Sequence, residues 1–553
     1  MIMTKQLKNL HWNFWLIGVL LLSLFFSTPV LTVFLSSVFS SGLGESGIWQ
    51  HLLDTVLKDY IQNSLWLMIG VAFGSLIIGV STAWLTSVCE FRGRRIFQWS
   101  LLLPLAFPAY IIAYTYTGML DFAGPVQTAL RDVTGWTARD YWFPEIRSIG
   151  GAIIMFSLVL YPYVYLLARA AFLEQSTITL EASRSLGKGT WYSFFKVALP
   201  MARPAIIAGL SLALMETLAD FGTVEYFGIS TFTTGIYRTW FGLGDSGAAA
   251  QLSSLLLFFV LALLLLERWS RRQSKFYQQS GKKMQSKRIV LSGAHAWAAF
   301  FACLLPLLFG FLLPFFQLSI WSWETADEMI NKEFFILAYH SLELALITAF
   351  LALVVALFMG YGKRLHGNRL MGSLIRMTSL GYAVPGTVIA VGVLIPFTWI
   401  DNTIDSFSRE VFDYSTGLIF SGTLFALVFA YLVRFLSVSI GTVESALEKI
   451  KPSIDDACRS LGTGGFKMLA KVHLPIMRTS LLTALLLVFV DILKELPATL
   501  LLRPFNFNTL AVRAYELAAD ERLQDAASAS IMIVLTGILP VLLLSYTISK
   551  NKS

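Results

Sequence analysis

Apolar runs of about 20 residues recur along the whole chain, the length at which a helix crosses the hydrocarbon of a bilayer with its backbone groups satisfied internally. Six lie near Trp12–Phe39, Ile61–Val88, Phe97–Leu120, Ile149–Phe172, Pro204–Gly222 and Ala248–Leu266. Six more follow near Leu291–Ile320, Phe335–Tyr361, Leu370–Thr398, Gly417–Ile440, Leu481–Leu501 and Ala526–Ile548. The pattern predicts an all-α integral membrane protein of about twelve transmembrane helices, arranged as two six-helix halves. Pro108 and Pro385, 277 positions apart, fall inside the third and ninth runs and should break or kink those helices.

The polar connections carry a second regularity. Glu181-Ala182-Ser183-Arg184-Ser185-Leu186-Gly187 is followed after twelve residues by Pro200, and Asp456-Ala457-Cys458-Arg459-Ser460-Leu461-Gly462 by Pro475 after the same gap. Lys196 with Lys471, Leu199 with Leu474 and Arg203 with Arg478 keep the same offset of 275. Repetition at fixed spacing marks a tandem duplication. Residues 1–270 form the first repeat, 271–290 a basic linker and 291–553 the second repeat. Both motif copies lie between the fourth and fifth spans of their repeat, in polar connections 174–203 and 444–478. Each predicts a helix over the Glu-Ala-Ser-Arg-Ser-Leu stretch or its counterpart, a tight turn at Gly187 or Gly462, and a second short helix running toward the Leu-Pro.

Composition agrees with a chain dissolved in lipid: 56% of the 553 residues are hydrophobic and 14% charged, and the mean hydropathy is +0.67. The formal charge of +8 is a topology signal rather than a nucleic-acid footprint. Arg92, Arg94 and Arg95, then Lys363, Arg364 and Arg369, then Arg268, Arg271, Arg272, Lys275, Lys282, Lys283, Lys287 and Arg288 mark one side. Glu324, Asp327, Glu328 and Glu333, with Asp401, Asp405, Glu410 and Asp413, mark the other. Both termini and both motif copies are expected in the cytoplasm. The first run, after Lys5 and Lys8, is too long for a signal-peptide core and reads as an uncleaved span.

Candidate chemistry is concentrated in the fifth span of each repeat. Glu216 and Asp220 recur as Asp491 and Glu495 at the same offset of 275, and the i,i+4 spacing would put each pair on one helix face. At helical rise Glu216 lies about 20 Å from Arg203, deep in the membrane. Carboxylates there should face the bundle interior or a wet cavity. Four such groups about a pseudo-twofold axis suit transient contact with a hard metal cation; the bland alternative is helix-end residues, or a partner for Lys494.

Other signals are weak. Gly42-Leu43-Gly44-Glu45-Ser46-Gly47 matches a dinucleotide fingerprint without the strand that gives it meaning, and Gly187-Lys188 lacks the rest of a phosphate loop. Cys89, Cys303 and Cys458 are dispersed and imply no disulfide framework. No histidine pair has ligand spacing, and His340 reads as a packed polar contact. Trp136, Tyr141, Trp142, Trp321 and Trp323 read as interfacial anchors, and Tyr110, Tyr114 and Tyr116 as packing or as the wall of a passage.

The duplicated loop resembles the Glu-Ala-Ala…Gly…Leu-Pro loop of binding-protein-dependent ABC importer permeases, and the resemblance covers essentially the whole chain as two fused permease halves. It implies that Glu181, Ala182, Gly187, Pro200, Asp456, Ala457, Gly462 and Pro475 belong to the surfaces that engage two copies of an ABC ATPase subunit. Ser183 and Cys458 depart from the family pattern at the third position, and Asp456 keeps the charge of Glu181 with a shorter reach. The stretches Glu216 to Gly228, Phe232 to Arg238 and Lys494 to Thr499 are similar to fused ferric-iron permeases. That implies Fe(III) presented by an extracytoplasmic binding protein, ATP held by the partner subunit, no cofactor on this chain, and a place in the lipid of a bacterial inner membrane. Thiamine permeases share the architecture, and sulfate and polyamine permeases share the loop. An ion-coupled carrier has the spans but no use for the duplicated loop, and a channel would need a filter-like glycine run within a span.

Overall fold

The computed structural model describes residues 14–39, 48–137, 139–174, 183, 187, 189–272 and 288–550. Among them ten helices are long and apolar enough to cross a membrane, and two more, Arg94–Ala106 and Ala109–Thr134, reach that length and hydropathy only together, with a bend of 90° between them. A final helix, Ala527–Lys550, stands where the twelfth run was expected. The glycine-rich decoy at residues 42–47 and most of the basic linker lie outside the described residues.

In chain order the helices used below are α1 (Phe14–Phe39), α2 (Leu57–Val88), α3 (Arg94–Ser100), α4 (Ala109–Leu120), α5 (Ile149–Glu174), α6 (Leu199–Ala219), α7 (Gly222–Tyr226) and α8 (Phe232–Tyr237). They continue as α9 (Ser246–Arg272), α10 (Gly293–Leu307), α11 (Leu313–Glu324), α12 (Lys332–His366), α13 (Arg369–Thr378), α14 (Gly386–Phe412) and α15 (Leu424–Glu448). The rest are α16 (Pro452–Ser460), α17 (Gly465–Met468), α18 (Leu474–Leu493), α19 (Pro497–Leu502), α20 (Leu510–Ala519) and α21 (Ala527–Lys550).

Pro108 and Pro385 do break their spans. A residue before proline is driven out of the helical region by the proline ring, and Phe107 (φ −86°, ψ 125°) and Val384 (φ −82°, ψ 127°) are both extended. Each break follows a 3-10 turn, Leu103–Ala106 or Ser379–Ala383, and each proline then starts the next helix, α4 or α14.

The chain forms two compact units, one of Met1–Leu43 with Leu337–Thr509 and one of Gly44–Ile336 with Leu510–Ser553. These boundaries are not those of the sequence repeat. In the first unit α1 packs on α14, where a side chain at Gly392 would strike the Pro29 carbonyl. Trp15 meets Phe358, Tyr361 and Phe466 at ring separations of 5.0, 5.5 and 4.9 Å. In the second unit the π turn Leu308–Leu312 between α10 and α11 sets Gly310 against the Leu158 carbonyl of α5. The opening span of each repeat therefore lies in the unit formed mainly by the other.

Small residues set the close helix contacts, as expected where lipid gives no hydrophobic drive for association. Gly70, Gly74 and Gly79 of α2 face Ile153, Ser157 and Val164 of α5, and Gly209 of α6 rests on the backbone of Tyr163 and Val164. Two short strands, β1 (Cys89–Glu90) and β2 (Ile289–Val290), pair in parallel. With the Arg288–Glu90 ion pair of 3.2 Å they fasten the chain beyond the linker to the end of α2.

Candidate functional site

The second copy of the polar connection folds as expected. Pro452 occupies the first turn of α16, where its missing N–H costs nothing. The helix ends when Gly462 N–H donates to the Arg459 carbonyl (3.0 Å) and Thr463 N–H to the Cys458 carbonyl (2.8 Å). This pairing closes the last turn and requires a left-handed residue, and Gly462 supplies it with φ +70°. α17 then runs through a π turn, Leu469–His473, into α18, with Pro475 in its first turn. The second short helix is thus the beginning of the span. Asp456, Ala457 and Gly462 are exposed, and Leu461 at the tip is 84% exposed.

In the first copy Glu181 and Ala182 lie outside the described residues. Gly187 repeats the left-handed turn with φ +74°, and Pro200 sits in the first turn of α6. Ser183, one of the two departures from the family pattern, is buried with its Oγ 2.8 Å from Ser193 Oγ. Trp191 and Phe195 stack at 6.0 Å and are both exposed.

Sequence reasoning missed the residues that hold the second loop in place. Asp455, one position before the repeated motif, is buried and takes Arg364 Nε at 2.8 Å and Nη2 at 3.0 Å, and its Oδ1 lies 3.0 Å from Nε2 of the fully buried His473. Arg364 also donates to the Leu447 and Ile450 carbonyls at the end of α15. Tyr361 donates to the Gly465 carbonyl (2.8 Å), and Lys363 pairs with Glu444 (2.7 Å). Burial pushes the Asp455 carboxyl up, but its bonds to Arg364 and His473 outweigh this and leave it below the ordinary carboxylate value. The signal in the sequence was a difference between the copies: Leu180 and Ala198 stand 275 positions before Asp455 and His473.

The paired acids need a correction. The i,i+4 argument assumes that the helix continues, and it stops before the second acid each time. α6 ends at Ala219, and Asp220 is extended (φ −68°, ψ 138°). Its carboxylate accepts from the N–H groups of Thr223 (2.9 Å) and Val224 (3.3 Å) in the first turn of α7 and from the Thr223 hydroxyl (3.1 Å). α18 ends at Leu493, and Glu495 accepts from Ala498 N–H (3.1 Å) at the start of α19. Both second acids bond N–H groups in the first turn of the short helix after a broken span, each from the position before its N-cap residue, Phe221 or Leu496. Glu495 also pairs with Arg434 at 3.2 Å, both side chains being buried, and Asp491 pairs with Lys494 at 2.8 Å. Glu216 is half-buried on the last turn of α6. Among the described residues no three His, Cys, Asp or Glu side chains gather as a metal-holding group.

Broken apolar spans, buried charges at the breaks and the exposed helix-turn-helix of the second repeat, with the same left-handed glycine turn at Gly187 in the first, point to a multi-pass membrane transport protein. Residues 75–275 and 352–551 each match the family described as the inner membrane component of binding-protein-dependent transport systems. The chain belongs to that family and carries its domain twice. It is 26% identical over 541 residues to an Fe(3+)-transport system permease protein of Haemophilus influenzae, covering 96% of this chain and 98% of the relative. It is 23% identical over 575 residues to a ferric transport system permease protein of Actinobacillus pleuropneumoniae, covering 96% and 78%. A molybdenum transport system permease protein of Escherichia coli is 32% identical over 154 residues, covering 28% of this chain and 64% of the relative.

Proposed function

We propose that the chain is the membrane-spanning subunit of an ABC importer that passes ferric iron into the cytoplasm. Both termini and both coupling loops face the cytoplasm in this reading. A binding protein presents Fe(III) on the opposite side, two ATPase subunits close on ATP, and the loops around Gly187 and Gly462 carry that motion into the spans. The chain itself supplies no ATPase site and leaves hydrolysis to its partners. Because it holds both loops, one copy serves two ATPase subunits.

The observation that carries the substrate is the match to relatives named for ferric transport along nearly the full length of the chain. The molybdenum relative matches only part of it. Glu216 and Asp220 are assigned to the cation's path, where carboxylates lower the cost of a multiply charged ion, while Asp491 and Glu495 are engaged by Lys494 and Arg434. Labelled ferric iron uptake in an iron-starved strain with and without the chain tests the reading, with labelled thiamine in parallel. Restored, energy-dependent iron uptake supports it; restored thiamine uptake alone overturns the metal assignment.

A further inference from the structure

The turn that ends α20 holds a residue that its backbone does not favour. Glu521 N–H donates to the Ala518 carbonyl (3.1 Å) and Arg522 N–H to the Leu517 carbonyl (2.8 Å), the same closing pair as at Gly462. Such a turn needs a left-handed residue and favours glycine, yet the position is filled by Glu521 at φ +60°. Among the described residues only Asp413 is also left-handed without being glycine. A side chain kept on a sparsely populated backbone points to what that side chain reaches. Glu521 reaches Arg147, just before α5, through contacts of 2.8 and 2.7 Å. Arg147 in turn lies 4.7 Å over the Tyr226 ring and donates to its hydroxyl (3.1 Å). Three segments of one unit meet here: the connection into α5, the end of α7, which follows the break in the fifth span of the first repeat, and the end of α20, which lies beyond the break in that of the second. Rings join the same segments, with Phe221 6.0 Å from Tyr515 of α20 and Tyr226 4.6 Å from Tyr114 of α4.

We propose that Arg147 and Glu521 form a latch that holds the passage shut on the side where the binding protein docks, and that docking of the loaded binding protein releases it. The proposal rests on the importer reading above and adds the residues that hold the closed form. A path between α7 and α20 cannot widen while Arg147 holds Tyr226 on one and Glu521 at the end of the other. The pair is bidentate but open to water, Arg147 being 31% and Glu521 59% exposed. It therefore biases the closed form only about two- to fivefold, little enough for docking to reverse. Water or a polar group of the docked protein can take over either charge.

The full-length chain, assembled with its ATPase subunits in lipid nanodiscs, is assayed for ATP hydrolysis with and without the iron-loaded binding protein. Glu521→Gly should raise hydrolysis in the absence of the binding protein about two- to fivefold and shrink the stimulation that the binding protein adds. Its thermal unfolding should be no lower than that of the wild type, because glycine suits the left-handed turn. Arg147→Gln should raise hydrolysis to the same extent. Arg147→Glu and Glu521→Arg should each raise it alone, and combining them should bring it back toward the wild-type rate. Arg522→Gln, which breaks the pair with Asp525 inside the same turn (2.6 Å), should change nothing; should an Arg147 variant not fold, Glu521→Gly decides. Hydrolysis in Glu521→Gly that waits for the binding protein as in the wild type overturns the latch and leaves the transport reading intact. An equal rise from Arg522→Gln overturns it as well. Wild-type hydrolysis that the iron-loaded binding protein does not stimulate counts against the transport reading itself.

Discussion

Replacing Asp455 with asparagine should loosen the repeated loop of the second half without touching its exposed surface. The aspartate and Arg364 are 11% and 13% exposed, so solvent screens them little. Breaking a buried ion pair costs about 3–5 kcal/mol. Here asparagine keeps one acceptor and Arg364 keeps the Leu447 and Ile450 carbonyls, which lowers the expected cost to about 2–3 kcal/mol. Hydrogen exchange of the α16 amides reads this locally, and at 1.4 kcal/mol per decade their exchange should quicken about 30- to 150-fold. Asp456→Asn is the control: its pair with Arg459 is 3.6 Å long with side chains 73% and 56% exposed, and such pairs contribute little. Equal effects of the two substitutions, or none from Asp455→Asn, would refute the anchoring argument.

The same carboxylate gives a pH dependence. Its value in the folded protein is depressed, so its contribution is complete above the unfolded value of about 3.9 and is lost as pH falls through the lower folded value; α16 protection should hold at neutral pH and drop in acid, in the wild type but not in Asp455→Asn. Gly386→Ala should cost about 1–3 kcal/mol, measured by thermal unfolding in detergent, because its Cβ would meet Arg434 Nη1 and Glu495 Oε1. At Gly462 a side chain would find open space, yet the left-handed backbone makes substitution by valine cost at least about 1–2 kcal/mol. ATP hydrolysis should then continue while uptake falls, and unchanged coupling would count against docking at this turn.

The spans and the repeat were legible because lipid imposes long apolar runs and because the motif returns at a constant offset. The proline breaks were legible too, since Pro108 and Pro385 each dictate an extended residue before them. The ends of the fifth spans were not, because an i,i+4 reading presumes unbroken helix; Pro497, fit for the first turn of a new helix, was the available warning at Glu495. Asp455 was hidden because its partners, Arg364 and His473, lie far off in sequence. The packing of α1 with α14 depends on tertiary contacts such as Pro29 with Gly392, which local pattern does not encode.

The central claim is tested most directly by reconstituting the purified chain with its ATPase subunits in proteoliposomes and adding the iron-loaded binding protein at the face opposite the ATPases. The account expects labelled iron to accumulate inside only with ATP, and Gly462→Val to uncouple accumulation from hydrolysis. Accumulation that needs no ATP, or hydrolysis stimulated by thiamine and never by ferric iron, would contradict it.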